Sequence, residues 1–185
     1  MVQRELVIQA QHGDADAFGL LVAGAVDRLH GVAYRILHDA DRADDATQQA
    51  LIAAWDHLPS LRDPDRFDAW TYRLVVNAAY REARRERAQH DTVRWIPMAE
   101  PASDAAPSAI EDRDLLDRAF AELSPEHRAV LVLRYHADLT LAQIAEVLEI
   151  PMGTVGSRLH HASRHLRAAL ERQELGAPVM EAGLP

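Results

Sequence analysis

Residues 139–164 read LTLAQIAEVLEIPMGTVGSRLHHASR, an apolar pattern of helical spacing that Pro151 and Gly153 interrupt. Apolar residues recur at helical spacing before the interruption and again after it, which predicts two short helices in place of one long helix. Thr140 followed by Gln143 is typical of a capping box and marks the start of the first helix. Two short helices joined by a tight turn predict a helix-turn-helix.

The two predicted helices differ in the residues they turn outward. The expected core face comprises Leu141, Ile144, Ala145 and Leu148 of the first helix, and Val155, Leu159, Ala162 and Leu166 of the second. The outward face of the second helix carries Gly153, Ser157, His160, His161 and Arg164, with Arg158 on its flank; Thr154 follows Gly153 in the chain. In a helix-turn-helix this helix enters the major groove, where such side chains meet phosphates and base edges. An ordinary helical hairpin with a solvated face is the alternative.

The rest of the chain also favours helices. Its 185 residues are rich in Ala and Leu and poor in aromatic residues, and we predict an all-α protein. Helical patterns begin at Asp14, at Ala43 and at Phe67, the first weakened by Gly24 and Gly31 and the second ended by Pro59. A Pro-, Ser- and acid-rich stretch then predicts a flexible linker. The predicted organisation is a helical domain at 10–87, a linker at 88–112, a second helical domain at 113–172 and a tail at 173–185.

Composition excludes several classes of protein. The chain has no cysteine, which excludes disulfide scaffolds and thiolate metal sites. No apolar run is long enough for a membrane span and the N-terminus lacks a signal-peptide core, so we expect a cytoplasmic protein with no direct membrane insertion. The net charge of −9 argues against a simple cationic nucleic-acid binder, although residues 81–87 read REARRER and form a local basic patch.

Two separate stretches resemble bacterial sigma factors of the extracytoplasmic-function (ECF) group. LSPEHRAVLVLRYHADLTLAQIAEVL followed by PMGTVGSRLHHA is similar to the promoter-reading region 4 of that group. RADDATQQALIAAW at 42–55 resembles the region 2 helix that docks on RNA polymerase, and FDAWTYRLVVNAAYREARR at 67–85 resembles the segment that melts and reads the near promoter element. The resemblance covers residues 14 to about 170 in the family's order.

The resemblance implies a sigma factor, which binds core RNA polymerase and directs initiation at promoter DNA without being an enzyme or needing a cofactor. The residues it assigns to polymerase binding are Asp45, Gln48, Gln49 and Trp55. Those it assigns to the near promoter element are Arg62, Arg66, Phe67, Trp70, Arg73, Asn77, Arg81 and Arg85, with core packing an open alternative for Trp70. The outward residues 153–164 named above would contact the far element. Members of the group are commonly held inactive by an anti-sigma protein, which is a further candidate partner.

The chain departs from the family pattern at a few positions. The family usually has glutamate at Gln49, lysine at Gly156, and arginine at His161 and Ser163. Losing cationic side chains predicts fewer phosphate contacts and a shallower salt dependence of DNA binding. His161 and His165 have a spacing that can bind zinc, but no carboxylate completes a site, and we predict no metal. A stand-alone helix-turn-helix regulator is the alternative function, and it leaves the region 2 resemblance unexplained.

Overall fold

The computed structural model describes residues 2–92 and 109–176, and within these ranges the chain is helical with no strand. The N-terminal half contains α1 (Val2–Gln11), α2 (Ala15–Leu37), α3 (Ala40–His57) and α4 (Phe67–Thr92), with two 3-10 turns at Leu58–Ser60 and Pro64–Arg66 between α3 and α4. The C-terminal half contains α5 (Ala109–Ala121), α6 (Pro125–Tyr135), α7 (Leu141–Leu148) and α8 (Met152–Gly176). None of the described helices is long and apolar enough to cross a membrane.

Side-chain caps fix where the helices begin. The Asp14 carboxylate accepts from the backbone N–H groups of Asp16 and Ala17, and Asp39 accepts from that of Arg42. Ser124 caps α6 with Pro125 in the first turn, and Thr140 forms the predicted capping box with Gln143. Each cap satisfies backbone donors that the first turn leaves free, and a cap of this kind typically contributes about 1 kcal/mol.

Helices α1 to α4 form the N-terminal module. The alanine stripe of α3 is buried as predicted (Ala43, Ala46, Ala50 and Ala54), and it packs against α2 and α4. Small side chains let these helix axes approach closely. Helix α2 runs unbroken through Gly24 and Gly31, although these glycines weaken its sequence pattern. Its buried residues, Leu29, Val32 and Ile36 among them, supply enough packing to offset the low helix propensity of glycine.

Helix α1 was not predicted, and it fixes the loop that precedes α4. Val7 and Ala10 are buried against Leu58 and Phe67 in a second apolar cluster. The Gln11 amide donates to the backbone oxygens of Leu58 and Leu61 at 3.1 and 2.7 Å. Backbone oxygens in a loop need such donors when water is excluded, so α1 stabilises the loop conformation.

Helices α5 to α8 form the C-terminal module. Ile144 and Val147 of α7 are buried, as are Val155 and Ala162 of α8. Leu141 is 40% exposed, so its assignment to the core was wrong, and Val147 takes the inward position that was not predicted. Glu149 adopts a left-handed conformation (φ 54°) that ends α7, and Pro151 precedes the first turn of α8. These residues produce the predicted turn between the two helices.

The two modules pack against each other, which the sequence did not indicate. Helix α6 packs on α2, and α7 packs on α4. One continuous cluster of buried apolar residues joins members of both modules, including Val32 and Val76 on one side and Leu133 and Ile144 on the other. Helix α4 extends beyond the predicted domain boundary at 87 and α5 begins within the predicted linker. The remaining linker residues, 93–108, and the tail residues 177–185 lie outside the described ranges.

Candidate nucleic-acid and protein interfaces

A groove of about 680 Å³ runs between α2 and α3. Trp55 lies at one end with its ring edge-on to Phe18, the centroids 4.9 Å apart. Ile52 and Trp55 are 56% and 41% exposed, which is unusual for large apolar side chains on one face of a helix. Asp45 and Gln48 are also exposed along α3, so three of the four predicted polymerase-binding residues share an accessible surface.

Gln49, the fourth predicted polymerase-binding residue, points inward. Its amide donates to the carboxylate of Glu82 at 2.8 Å. Glu82 lies on α4, is only 8% exposed, and also accepts from Arg85 at 2.5 Å. A buried carboxylate needs such donors because water cannot solvate it. The glutamine at position 49 therefore complements Glu82, where the family's usual glutamate would place two acidic groups side by side.

Polar residues predicted for the near promoter element follow one side of the second 3-10 turn and α4. Arg62, Asn77, Arg81 and Arg85 are exposed. Arg66 and Arg73 are engaged by acidic residues of the C-terminal module: Arg66 pairs with Glu146, and Arg73 Nη1 lies 2.7 Å from Glu149 Oε1. We call Arg66, Arg73, Asn77 and Arg81 the α4 stripe.

The two aromatic residues predicted beside this stripe are part of the core. Phe67 is 3% exposed and Trp70 is 9% exposed, and their rings pack at a centroid distance of 6.2 Å. Both belong to the cluster that α1 completes. Burial assigns them a packing role in this conformation, so stacking on an unpaired base would require their side chains to leave that cluster.

The first two turns of α8 and the residues that follow present the predicted polar face. Gly153, Ser157, His160, His161 and Arg164 are exposed, while Thr154 and Arg158 are half-buried. The backbone of α8 is held at its start by bonds from the N–H groups of Thr154 and Val155 to the oxygen of Pro151. The opposite face is anchored by Val155 and Ala162, both fully buried. This recognition helix thus offers donors, imidazoles and arginines on a rigid support.

Two histidines are in contact between α6 and α8. The ring of His127 lies edge-on to that of His165 at a centroid distance of 5.2 Å. Partial burial lowers the pKa of His127 from 6.5, the charges of His165, Arg158 and His161 lower it further, and Glu126 opposes them. Within residues 2–92 and 109–176 no group of three or more histidine and acidic side chains is arranged to hold a metal ion.

The lowered pKa of His127 makes the stability of the module depend on pH. A histidine whose pKa is lowered in the folded state binds more protons in the unfolded state. Its contribution to the free energy of unfolding is therefore complete above pH 6.5 and is lost as the pH falls through the folded-state pKa. We expect the melting temperature to fall between about pH 7.5 and about pH 5.5, and to fall less in His127→Gln. Differential scanning fluorimetry checks this, with His12→Gln, in the turn after α1, as the control. An unchanged pH dependence in His127→Gln would contradict it.

Comparison with known protein families separates the two modules in the same way as the fold. Residues 21–89 match the model described as Sigma-70 region 2, and residues 119–168 match Sigma-70, region 4. The ECF RNA polymerase sigma factor SigL of Mycobacterium tuberculosis is 38% identical over 148 residues, covering 78% of this chain and 82% of the relative. The chain belongs to the ECF RNA polymerase sigma factors.

Other relatives extend the match over most of the chain. The RNA polymerase sigma-H factor of Pseudomonas aeruginosa is 32% identical and covers 91% of this chain and 93% of its own length. Among solved structures, CnrH in complex with the cytosolic domain of CnrY is 26% identical with a TM-score of 0.67, covering 93% of this chain and 99% of that chain. The sigma factor RpoE of Bartonella quintana, in complex with the anti-sigma factor NepR, is 22% identical with a TM-score of 0.65 and covers 83% and 96%, which shows the shared fold.

This ECF sigma factor therefore binds core RNA polymerase and directs initiation at promoters. Region 2 contains the α2–α3 groove and the α4 stripe, and region 4 contains the helix-turn-helix. The presence of region 2 disfavours the alternative function, a stand-alone helix-turn-helix regulator, because such a regulator does not need a region 2. Helix α1 and the last part of α8 lie outside both matched regions.

Proposed function

We propose that this sigma factor binds polymerase and the two promoter elements through three separate surfaces of the described residues. The α2–α3 groove binds core RNA polymerase, the α4 stripe with Arg62 binds the near promoter element, and the outward face of α8 binds the far element. The observation that carries this assignment is that one module contains both an apolar groove and a polar stripe, and that no stripe residue lines the groove. Polymerase and DNA can then be held by the same module at the same time.

The two DNA-binding surfaces are suited to different tasks. Arginine and asparagine side chains on α4 can bind the backbone and edges of unpaired bases, which offsets the few kcal/mol needed to unstack a base. A recognition helix in the major groove contacts bases that remain paired. Neither surface needs catalytic chemistry, and we propose that nucleotide addition belongs wholly to the polymerase. We also propose that an anti-sigma protein covers these surfaces in the inactive state. The solved CnrH, which this chain resembles, is in complex with the cytosolic domain of CnrY.

The decisive experiment is run-off transcription with purified core polymerase on a promoter found by mapping transcript starts after overproduction of the protein. Addition of the chain is expected to give transcripts of one defined start. Core polymerase that binds the chain but never initiates at any mapped start would exclude the proposed function. A stand-alone regulator would bind its DNA site without conferring initiation on core enzyme.

Asn77→Ala tests the near-element assignment. Asn77 is exposed on α4, so its truncation leaves the core unchanged. We expect initiation on duplex promoter to fall by about tenfold, the effect of losing about 1–3 kcal/mol of base contact. A template already mismatched over the start region is expected to recover much of the loss if Asn77 assists opening. Gln9→Ala on α1 is the control, and equal activity of Asn77→Ala and Gln9→Ala would contradict the assignment.

A further inference from the structure

The loop between α3 and α4, residues 58–66, presents Arg62 to solvent. Arg62 is exposed near the middle of this loop and is one of the residues proposed above for the near promoter element. A binding residue on a loop depends on the rigid elements that support the loop. The contacts that fix the loop backbone therefore determine where the Arg62 guanidinium lies.

One face of α1 packs beside this loop. Four residues at helical spacing lie on that face: Gln3, Val7, Ala10 and Gln11. Val7 and Ala10 belong to the same buried apolar cluster as Leu58, at the start of the loop, and Phe67, directly after it. This packing fixes α1 next to the loop, so the polar side chains of the same face are held within reach of the loop backbone.

Gln11 bridges the two ends of the first 3-10 turn. The backbone N–H of Leu61 donates to the oxygen of Leu58 at 3.0 Å, which closes the turn. The Gln11 side-chain amide donates to that same oxygen at 3.1 Å and to the oxygen of Leu61 at 2.7 Å. Both bonds are partly buried, so an oxygen that lost its donor would be only partly solvated. The Leu61 oxygen belongs to the peptide group that joins Leu61 to Arg62, and Gln11 therefore fixes the peptide group from which Arg62 extends.

Arg4 contacts the loop on the other side of Arg62. Arg4 Nη1 lies 2.5 Å from Asp65 Oδ2 and 4.0 Å from Asp63 Oδ1. Asp63 also accepts from the backbone N–H of Asp65 at 3.1 Å and so caps the second 3-10 turn. Two carboxylates close to Arg62 in the chain repel DNA, and the charge of Arg4 offsets them. Helix α1 thus constrains the backbone before Arg62 and the charge after it.

The same face of α1 reaches the first turn of α4. Gln3 Nε2 donates to Asp68 Oδ1 at 2.7 Å, and Arg28 of α2 pairs with the same carboxylate. Contacts from one helix to the loop and to α4 link the position of Arg62 to that of the α4 stripe. The two parts of the proposed near-element surface therefore share one support.

We propose that Gln11 is a positioning residue for the near promoter element. By holding the peptide group before Arg62, it places the guanidinium where it meets an unpaired base. Gln11 acts through Arg62 and does not itself contact DNA, and the proposal rests on the assignment of Arg62 to the near promoter element. Helix α1, which precedes the region 2 match at residues 21–89, is thus part of the structure that determines near-element specificity.

Discrimination between promoter templates tests this role of Gln11. The readout is run-off transcription with core polymerase, expressed as the ratio of initiation on the mapped promoter to initiation on a template with one near-element base pair replaced. The replaced pair is the one to which the wild-type chain is most sensitive. This near-element ratio is expected to fall about fivefold in Gln11→Ala and about tenfold in Gln11→Glu, whose carboxylate would face two carbonyl oxygens. The same ratio for a far-element replacement is expected to stay within about twofold of wild type, because α8 reads that element.

A loss of folded protein would not imitate this result, because it lowers initiation on every template equally and leaves both ratios unchanged. Gln11→Lys keeps a donor long enough to reach the same oxygens and is expected to retain the near-element ratio within about twofold. Gln9 is exposed on the opposite side of α1. Gln9→Ala, Gln9→Glu and Gln9→Lys are therefore matched controls for size and charge, and all three are expected to keep the wild-type ratios.

A double-mutant cycle with Arg62 separates positioning from an independent effect of Gln11. Arg62→Ala is expected to lower the near-element ratio about tenfold. Adding Gln11→Ala to Arg62→Ala is expected to lower it no further than about twofold, because the guanidinium that Gln11 places is then absent. Two losses that multiply in the double variant would show that Gln11 acts by another route and would overturn the proposal.

The proposal is also overturned if Gln11→Ala and Gln11→Glu keep the wild-type near-element ratio, if Gln11→Lys loses as much as Gln11→Glu, or if Arg62→Ala has no effect on that ratio. Run-off transcription by the wild-type chain distinguishes these failures from failure of the proposed function. Transcripts from the mapped start remain if only the role of Gln11 is wrong. They are absent if the chain does not direct initiation.

Discussion

Ile52→Asp is expected to weaken binding to core RNA polymerase by about 100-fold, close to 2.8 kcal/mol, with no loss of thermal stability. Ile52 is 56% exposed beside Trp55 in the α2–α3 groove, so the monomer gains little from its side chain. A partner that covers the groove would bury it and desolvate its neighbours. A carboxylate in that position would be buried without a cation, which costs far more than the lost apolar contact.

Leu20→Asp is the matched control for this prediction. Leu20 is 62% exposed on α2, outside the residues that line the groove. Both variants add one negative charge by replacing an exposed aliphatic residue. Surface plasmon resonance with immobilised core polymerase measures the two affinities, and thermal melting verifies folding. Equal affinity of the two variants would place the polymerase contact elsewhere on the chain.

Ile52 also shows which features can be predicted from a single sequence: its helix can be predicted, but its role in binding cannot. The helical pattern of α3 and its alanine stripe were readable because small buried residues recur at regular spacing. The same pattern places Ile52 outside the stripe but does not distinguish an apolar residue used for binding from one that is incidentally exposed. The geometric signal is its proximity to Trp55 and Phe18, and that proximity depends on how α2 packs against α3.

Local chemistry predicted the helix-turn-helix well. Caps at Ser124 and Thr140 and the break at Pro151 act within a few residues, so their effect can be read without knowing the fold. The same is true of the outward face of α8, whose residues Gly153, Ser157, His160, His161 and Arg164 are exposed as predicted. Arg158, which was predicted on the flank, is half-buried. The predicted burial of Leu141 was wrong: it is the first residue of α7 and is 40% exposed, while Ile144 and Val147 are buried.

Contacts between distant segments were not predictable in this way. Phe67 looked suited to stacking on a base, but α1, sixty residues earlier in the chain, encloses it in a core. The packing of the two modules brings Gly31 beside the His136 side chain, and these residues are separated by more than half of the chain. No local pattern couples such positions, and their relation appears only when the helices are placed in space.

The inward position of Gln49 is another contact between distant segments that the sequence did not predict, and replacing this residue is expected to have a large effect. Replacing it by glutamate restores the family's usual residue, and we expect this restoration to destabilise the protein by about 3 kcal/mol at neutral pH. The present amide donates to Glu82 at 2.8 Å, and Glu82 is 8% exposed. The variant would lose that donor and place a second carboxylate against a buried one, which Arg85 already pairs with.

Chemical denaturation of Gln49→Glu and Gln48→Glu separates this effect from a general change in charge. Gln48 is exposed on the same helix, so the same substitution there is expected to alter the free energy of unfolding by less than about 0.5 kcal/mol. Two carboxylates in contact share a proton readily, so the difference between the variants should shrink as the pH falls toward about 5. Equal stability of the two variants at neutral pH would show that Gln49 is free to face the polymerase. A large difference would mean that this chain has exchanged a contact with its partner for a hydrogen bond within its own core.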